Sequence, residues 1–274
     1  MTESTKIIAL GTGSAFTLGD NWQTNFIIQR NGKNLLVDCG SDIRWALKDH
    51  GFSYKDIDGV YVSHAHADHV GGLEFLGFTR YFTRQYMIDA QVPNPIPLPK
   101  MYCVRELVSS IWNNSLKGGM EGIQGIDCTI DTYFDVKPVQ RNEAFVWEGL
   151  KFDVVQSVHI SAKYCVVDSF GLMFTDTNGK RVYLTTDVQF APETSMMAYY
   201  KESDVIVHDC ETMYKSGVHA HYDSLKTLPP DIKSKMLLVH YQDNVLDDWD
   251  TWSKKAIDDG FRGFVKKGVI YVSE

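Results

Sequence analysis

The 274-residue chain has no uninterrupted apolar run approaching the roughly 20 residues that a membrane-spanning helix needs, so no membrane partner is expected. Its opening, Met1-Thr2-Glu3-Ser4-Thr5-Lys6, has neither the basic nor the apolar part of a secretory leader. Cysteine is sparse and unpaired: the five residues at 39, 103, 128, 165 and 210 form no C-x-x-C spacing. They read as reduced thiols of a cytoplasmic protein. Basic clusters are missing too. Lysine plus arginine number 27 against 35 aspartates plus glutamates, a net charge of −8. Proteins that hold long nucleic acids draw much of their affinity from phosphate contacts, so a long RNA or DNA partner is disfavoured. A small anionic substrate stays acceptable if bound cations offset the local charge. With 44% apolar and 23% charged residues, the chain is otherwise an ordinary globular protein with enough length for a sizeable core.

One stretch stands out. Ser63-His64-Ala65-His66-Ala67-Asp68-His69 follows the apolar run Gly59-Val60-Tyr61-Val62 and places four metal-capable side chains within six residues. Imidazole and carboxylate suit zinc and similar divalent ions, and a carboxylate in such a loop can also orient water. His64 and His66, two apart, cannot share a helix face but can converge in an irregular loop at a strand end.

Elsewhere the pattern alternates strands with helices. Lys6 to Leu10 reads as a strand ended by the turn Gly11-Thr12-Gly13-Ser14. That turn is either a phosphate cradle or a tight structural turn beneath the site. Phe26 to Ile28 and Leu35 to Val37 flank Asn31-Gly32, a strong hairpin signal. Asp38 then serves either as an outer partner of a ligand histidine or as a helix cap. A helix is expected from about Asp42 to Asp49, a short one over Leu73 to Leu76, a strand over Met101 to Val104 and a helix over Arg105 to Asn113. Prolines 93, 95, 97 and 99 and glycines 118, 119, 122 and 125 mark a loop-rich insertion at about 79–130. Within it and nearby, Tyr81, Phe82, Tyr102 and Trp112 are candidates to stack on a nucleobase, or else core aromatics. Further strands are expected over Tyr133 to Val136, Phe145 to Trp147, Leu150 to Val155, Phe170 to Phe174 and Val182 to Thr185. Helices fit near Pro192 to Lys201, Ser224 to Leu228 and Trp249 to Asp258. Periodicity alone supports a mixed α/β protein.

The motif His64-x-His66-x-Asp68-His69, followed by Val70-Gly71-Gly72-Leu73, resembles the signature of the metallo-β-lactamase superfamily. The resemblance implies a single domain over residues 1–274 built as a four-layer αββα sandwich. It also implies a third histidine, a bridging carboxylate and a fourth histidine, which His159, Asp187 and His240 match. Each of the three is expected just past an apolar strand. His64, His66 and His159 would hold one divalent ion, and Asp68, His69 and His240 a second, with Asp187 between them. Zinc is the expected metal, with manganese as the other candidate.

Val207-His208-Asp209-Cys210-Glu211 and Gly217-Val218-His219-Ala220-His221 resemble the phosphodiesterase branch that includes tRNase Z. There an acidic residue supports a histidine that is not a ligand but meets the substrate phosphate. By position Asp209 takes the acidic place and His219 the histidine, with His221 as the competing choice and His208 as a structural neighbour. The chain lacks the basic, Gly/Pro-rich arm with which tRNA-processing members hold their substrate. The pattern around His219, the Leu116 to Met120 loop and the length are most similar to phage anti-Pycsar proteins and their bacterial relatives. Those are homodimers that destroy cyclic-nucleotide signals of antiviral defence, in the host cytoplasm where phage-encoded. The reaction so implied is attack by a hydroxide oriented by Asp68 on a 3′,5′-cyclic phosphate. His219 would protonate or screen the leaving oxygen, giving a nucleoside 5′-monophosphate. Rival readings are an RNA 3′-processing or 2′,3′-cyclic phosphodiesterase, a lactonase or thioesterase with the same ligands, and a non-catalytic cyclic-nucleotide sponge.

Overall fold

The computed structural model describes residues 4–273; Met1 to Glu3, part of the segment searched for a leader, lie outside the described residues. Strands follow in the order β1 (Lys6–Gly11), β2 (Asn25–Arg30), β3 (Lys33–Val37), β4 (Gly59–Val62), β5 (Lys100–Val104), the small hairpin β6 (Gly122–Ile123) and β7 (Ile126–Asp127), and β8 (Asp135–Val139). After these come β9 (Ala144–Trp147), β10 (Leu150–Ser161), β11 (Val166–Thr175), β12 (Arg181–Leu184), β13 (Val205–Asp209), β14 (Met236–Val239), β15 (Gly263–Phe264) and β16 (Gly268–Val272). One sheet runs β16-β1-β2-β3-β4-β5-β8 and the other β15-β14-β13-β12-β11-β10-β9. The last strand therefore returns to the first half's sheet, pairing antiparallel with β1.

Alternation along the strands builds the layers. Ile7, Ala9, Phe26, Ile28, Leu35, Val37 and Tyr61 point into a core shared with Phe152, Val154, Phe170 and Leu172 of the other sheet. Their neighbours Ile8, Leu10, Ile27, Leu36, Val60 and Val62 point outward, beneath Ile43, Ala46, Leu73 and Leu76 of the first helices. On the far side Met173, Tyr183 and Ile206 are covered by Met196, Tyr200, Leu225 and Ala256 of the later helices. Since successive side chains of a strand face opposite ways, two sheets buried on both faces require helices outside each. The fold is thus the αββα sandwich of the metallo-β-lactamase class.

Several elements depart from the sequence reading. The helix expected to stop near Leu76 runs Leu73–Asp89. Only Leu73, Leu76, Gly77 and Arg80 of it are buried, so its second half carries no apolar stripe to reveal it. The fully sequestered Arg80 ties that helix down by donating to the carbonyls of Lys55 (2.8 Å) and Pro97 (2.5 Å). The helix from Arg105 continues through a π-helical turn, Trp112–Leu116, to Met120. The strand expected over Tyr133 to Val136 begins two residues later, as β8, because a helical turn, Ile130–Tyr133, ends on Tyr133. The Asn31-Gly32 hairpin is as read: both residues have positive φ (50° and 69°), which matches strand twist in a two-residue turn. Among the described residues no helix is long and apolar enough to cross a membrane.

Candidate metal centre

Both sheets contain a parallel block, β3-β4-β5 in one and β12-β13-β14 in the other, and the site forms where those strands end. Asp38 follows β3, the Ser63 to His69 loop follows β4, Asp187 follows β12, Asp209 ends β13 and His240 follows β14. Three of the exits are strained: Asp38, Thr186 and His240 have φ of 64°, 53° and 61°. Such backbone costs about 1–3 kcal/mol per residue and persists only where neighbours hold it. Here Asp38 N donates to Tyr61 O (2.8 Å), His240 N to Thr12 O (2.8 Å), and the Thr186 hydroxyl meets that of Ser169 (2.8 Å). Close backbone approach explains the glycines after the histidine motif. A Cβ on Gly72 would stand 2.3 Å from Gly40 O, and one on Gly40 2.4 Å from Asp68 O.

His159 is the exception among the expected strand-end positions. It lies within β10, at a register shift between Val158 and Ile160. The bulge re-aims its side chain toward the motif; Gln156 and Ser157 interrupt the apolar run, and only Val158 and Ile160 hint that the strand continues.

Three groups of site residues could hold a metal ion, one of them Asp209, His219 and His240. The other two share Asp187: His64, His66, His159 and Asp187 make the first, and Asp68, His69, Asp187 and His240 the second. In the first, His66 Nδ1 stands 3.0 Å from His64 Nε2 and 3.1 Å from His159 Nε2. Asp187 Oδ2 is 3.7 Å from His64 Nε2 and 3.5 Å from His159 Nε2. Ligands at 2.0–2.1 Å around one tetrahedral zinc would be roughly 3.3 Å apart, so the spacing fits. Tautomers are fixed from behind. His159 Nδ1–H donates to Val218 O (2.9 Å), leaving the Nε2 lone pair facing inward. The Ser63 hydroxyl donates to Asp38 Oδ2 (2.8 Å) and so accepts from His64 Nδ1–H (3.0 Å), which has the same result. Burial pushes the pKa values of His64, His66 and His159 down, so the three imidazoles meet as neutral donors.

In the second group His69 Nε2 is 3.1 Å from Asp68 Oδ2 and 3.3 Å from Asp187 Oδ1. His240 Nδ1 is 3.6 Å from Asp187 Oδ1, and His240 Nε2 is 3.9 Å from Asp68 Oδ2. His69 Nδ1–H donates to Asp38 Oδ2 (2.7 Å), so one carboxylate orients a histidine in each group. Of the two readings of Asp38, the hydrogen bond to a site histidine is formed, and the cap position of the next helix belongs to Asp42. Burial works against a charged His69, but Asp68, Asp187 and Asp38 override it and hold its pKa well above the ordinary value. Asp68 and Asp187 are held well below theirs, because His69 and His240 outweigh burial. The pocket demands positive charge.

A direct test of whether metal fits is the set of polar atoms left without partners. Among the described residues nine buried side-chain N or O atoms lack a hydrogen bond, and five belong here: Asp68 Oδ2, His69 Nε2, both ring nitrogens of His240, and Asp209 Oδ1. Leaving a buried polar group unpaired costs about 1–3 kcal/mol. Divalent cations at the two groups sharing Asp187 would satisfy three of the five, Asp68 Oδ2, His69 Nε2 and one nitrogen of His240, and the donor set of histidine and carboxylate suits them.

Beside the two groups sits His219. Its Nδ1–H donates to Asp209 Oδ2 (2.8 Å) and lies 3.9 Å from Asp187 Oδ2. Its ring lies 5.0 Å from that of His159 and 4.9 Å from that of His240. Burial lowers its pKa, but Asp209, then Asp187 and Glu211, raise it to about 10. Asp209 is fixed in turn by Val188 N (3.0 Å). His221 points elsewhere: its Nδ1 accepts from Asp223 N and caps the helix Tyr222–Leu225. His208 is a buried structural residue between Tyr200 OH (2.6 Å) and its neighbour's carbonyl, Asp209 O (2.6 Å). The Gly11 to Ser14 turn is structural as well, since its backbone already bonds Trp22, Thr24, His240 and Tyr241.

A cavity of about 370 Å³ opens beside His219, walled by Phe16, Met213, Tyr214 and Val218. The sequence reading missed these walls. Of its stacking candidates, Tyr102 is core, packed on Phe145 (4.3 Å), and Tyr81 packs on Tyr133 (5.7 Å). Phe82 stacks on Phe78, and Trp112 packs on the helical-side core. None of the four lines this cavity.

Fold and site define a metallo-β-lactamase-fold protein with histidine–aspartate groups that could bind metal. Over 99% of both chains it superposes on the metallo-β-lactamase fold protein YhfI from Bacillus subtilis, with a TM-score of 0.68 at 18% identity. The family model described as Anti-Pycsar protein Apyc1 matches residues 5–271, and the chain belongs to that family. It is 30% identical to the Anti-Pycsar protein Apyc1 of Bacillus phage vB_BsuM-Goe3, covering 89% of this chain and 92% of the relative. With that of Paenibacillus harenae it shares 32% identity over 86% and 89%.

Proposed function

We propose that the protein hydrolyses 3′,5′-cyclic nucleotides to nucleoside 5′-monophosphates, and so removes a signal of antiviral defence as its family name suggests. The observation that carries this reading is the Asp209–His219 pair, set beside Asp187 and opening onto a cavity. A lactonase or thioesterase has less need of such a pair, whereas a departing ribose oxygen requires a proton as the P–O bond breaks.

In this reading His64, His66 and His159 would hold one divalent cation and Asp68, His69 and His240 the other, with Asp187 between them, as zinc or manganese. Such a cation pair lowers the pKa of water and neutralises charge on the phosphoryl oxygens. Asp68 orients the attacking water, which gives up a proton to solvent and forms the new bond to phosphorus as the bond to the 3′ oxygen, on the opposite side, breaks. His219 gives a proton to that oxygen as it leaves, and Asp209 keeps the imidazole in place. Asp38 holds His64 and His69 in the tautomers that face inward. The protein acts as a single domain, as a homodimer, in the cytoplasm where its small anionic substrate is found.

The test is incubation of purified protein with 3′,5′-cyclic AMP and cyclic UMP, with and without chelator, alongside acyl-lactones and S-acyl-glutathione. The 5′-monophosphate is expected from both nucleotides, and none after chelation. Turnover of the lactone or thioester alone, 3′-monophosphate as sole product, or stoichiometric capture without product would each overturn the proposal.

A further inference from the structure

We infer that the cavity beside His219 seats the nucleobase of the substrate, with Phe16 and Tyr214 as the stacking walls and Asp243 as the positioning residue of the Phe16 wall. The inference rests on the cyclic-nucleotide reading and adds the residues that hold the part of the substrate that does not react.

Phe16 is 89% exposed and Tyr214 61% exposed, so the fold's own packing makes little use of either ring. Both nevertheless sit on anchored backbone. Asp243 takes the Thr17 hydroxyl on Oδ1 and Leu18 N on Oδ2 (2.8 Å), fixing the loop immediately after Phe16, while Ser14 N bonds Tyr241 O (3.0 Å) before it. The opposite wall is fixed by Gln242 Oε1, which accepts from Thr212 N (2.6 Å) and Met213 N (3.1 Å), and by Glu211 Oε2, which accepts from Ser216 N (2.9 Å). Rigid supports with uncommitted rings describe a binding surface better than a core.

The chemistry of the occupant follows from what adjoins the cavity. One lining residue, His219, also borders the histidine–aspartate groups, where an anion would be held. The ligand must therefore carry an anionic end and a flat apolar end within a few ångströms. Glu211 Oε2, Gln242 Oε1 and both Asp243 oxygens are already used by the protein, whereas the exposed ring faces of Phe16 and Tyr214 are uncommitted. A nucleobase attached to a cyclic phosphate meets both demands, and aromatic side chains stack on bases of any sequence.

Steady-state kinetics on Phe16→Ala and Tyr214→Ala, with 3′,5′-cyclic AMP and the base-free 1-O-methylribose 3′,5′-cyclic phosphate, tests this. Each truncation is expected to raise KM for cyclic AMP about 5- to 100-fold with kcat within about threefold. KM for the base-free compound should not change, and Phe16→Trp and Tyr214→Phe should retain tight binding. Asp243→Ala is expected to shift KM in the same selective way by a smaller factor. Unchanged KM for cyclic AMP, or equal losses on both compounds, would overturn the inference while leaving the functional reading intact. Failure of the wild-type protein to turn over either compound would overturn the functional reading, and the inference with it.

Discussion

The two metal-capable groups that share Asp187 are held by different means. In the first, His64 and His159 each have the rear nitrogen engaged, by Ser63 and by Val218 O, and the facing nitrogens already stand 3.0–3.1 Å apart across His66. In the second, His69 is engaged by Asp38, but neither nitrogen of His240 has a partner. His240 is positioned through its backbone, by a left-handed φ and the bond to Thr12. Side-chain support preorganises a ligand set; backbone support alone leaves the ring free to turn. The first group should therefore fill at lower metal concentration than the second, and metal titration of the apo-protein should show two phases.

Substitutions can break or sharpen this contrast. The largest effect is expected at Asp187, the one side chain common to both groups: Asp187→Ala should cost about 1,000-fold or more in kcat/KM. Next comes His219→Ala, at about 100- to 10,000-fold in kcat with metal content intact, while His221→Ala should change kcat less than threefold. If His221→Ala were the damaging change, the helix-capping role of His221 would be wrong. Asp38→Ala withdraws support from both groups and should weaken metal affinity or activity about 10- to 100-fold. Ser63→Ala removes the hydroxyl that meets His64 directly and His69 only through Asp38, and should weaken the tighter metal phase by about 2- to 10-fold and the other phase less. Equal weakening of both phases by Ser63→Ala would erase the distinction between the groups.

Legibility in the sequence followed how local each feature is. His64, His66, Asp68 and His69 share one loop, so their spacing alone points to metal. Asp187 and His240 sit after apolar strands, a one-dimensional cue. The placement of His159 depends on a bulge against β11, and the alternation that would mark a strand fades at Gln156. Asp38 was open between two roles, because only the fold brings Ser63 and His69 to the same carboxylate. Phe16, Tyr214 and Asp243 carry no motif: Phe16 lies about 200 residues before the other two and meets them only because the turn after β1 bonds the residues after β14. The second half of the Leu73–Asp89 helix was invisible for the reverse reason, since a mostly exposed helix has no apolar period to read.

Elemental analysis of wild-type and Asp187→Ala protein, run beside hydrolysis of 3′,5′-cyclic AMP, bears most directly on the shared carboxylate. Two equivalents of divalent metal per wild-type chain are expected, and one or fewer in the variant, with activity lost in step. Full wild-type activity with a single ion or none, or two ions retained by an Asp187→Ala protein that still turns over substrate, would contradict the paired centre.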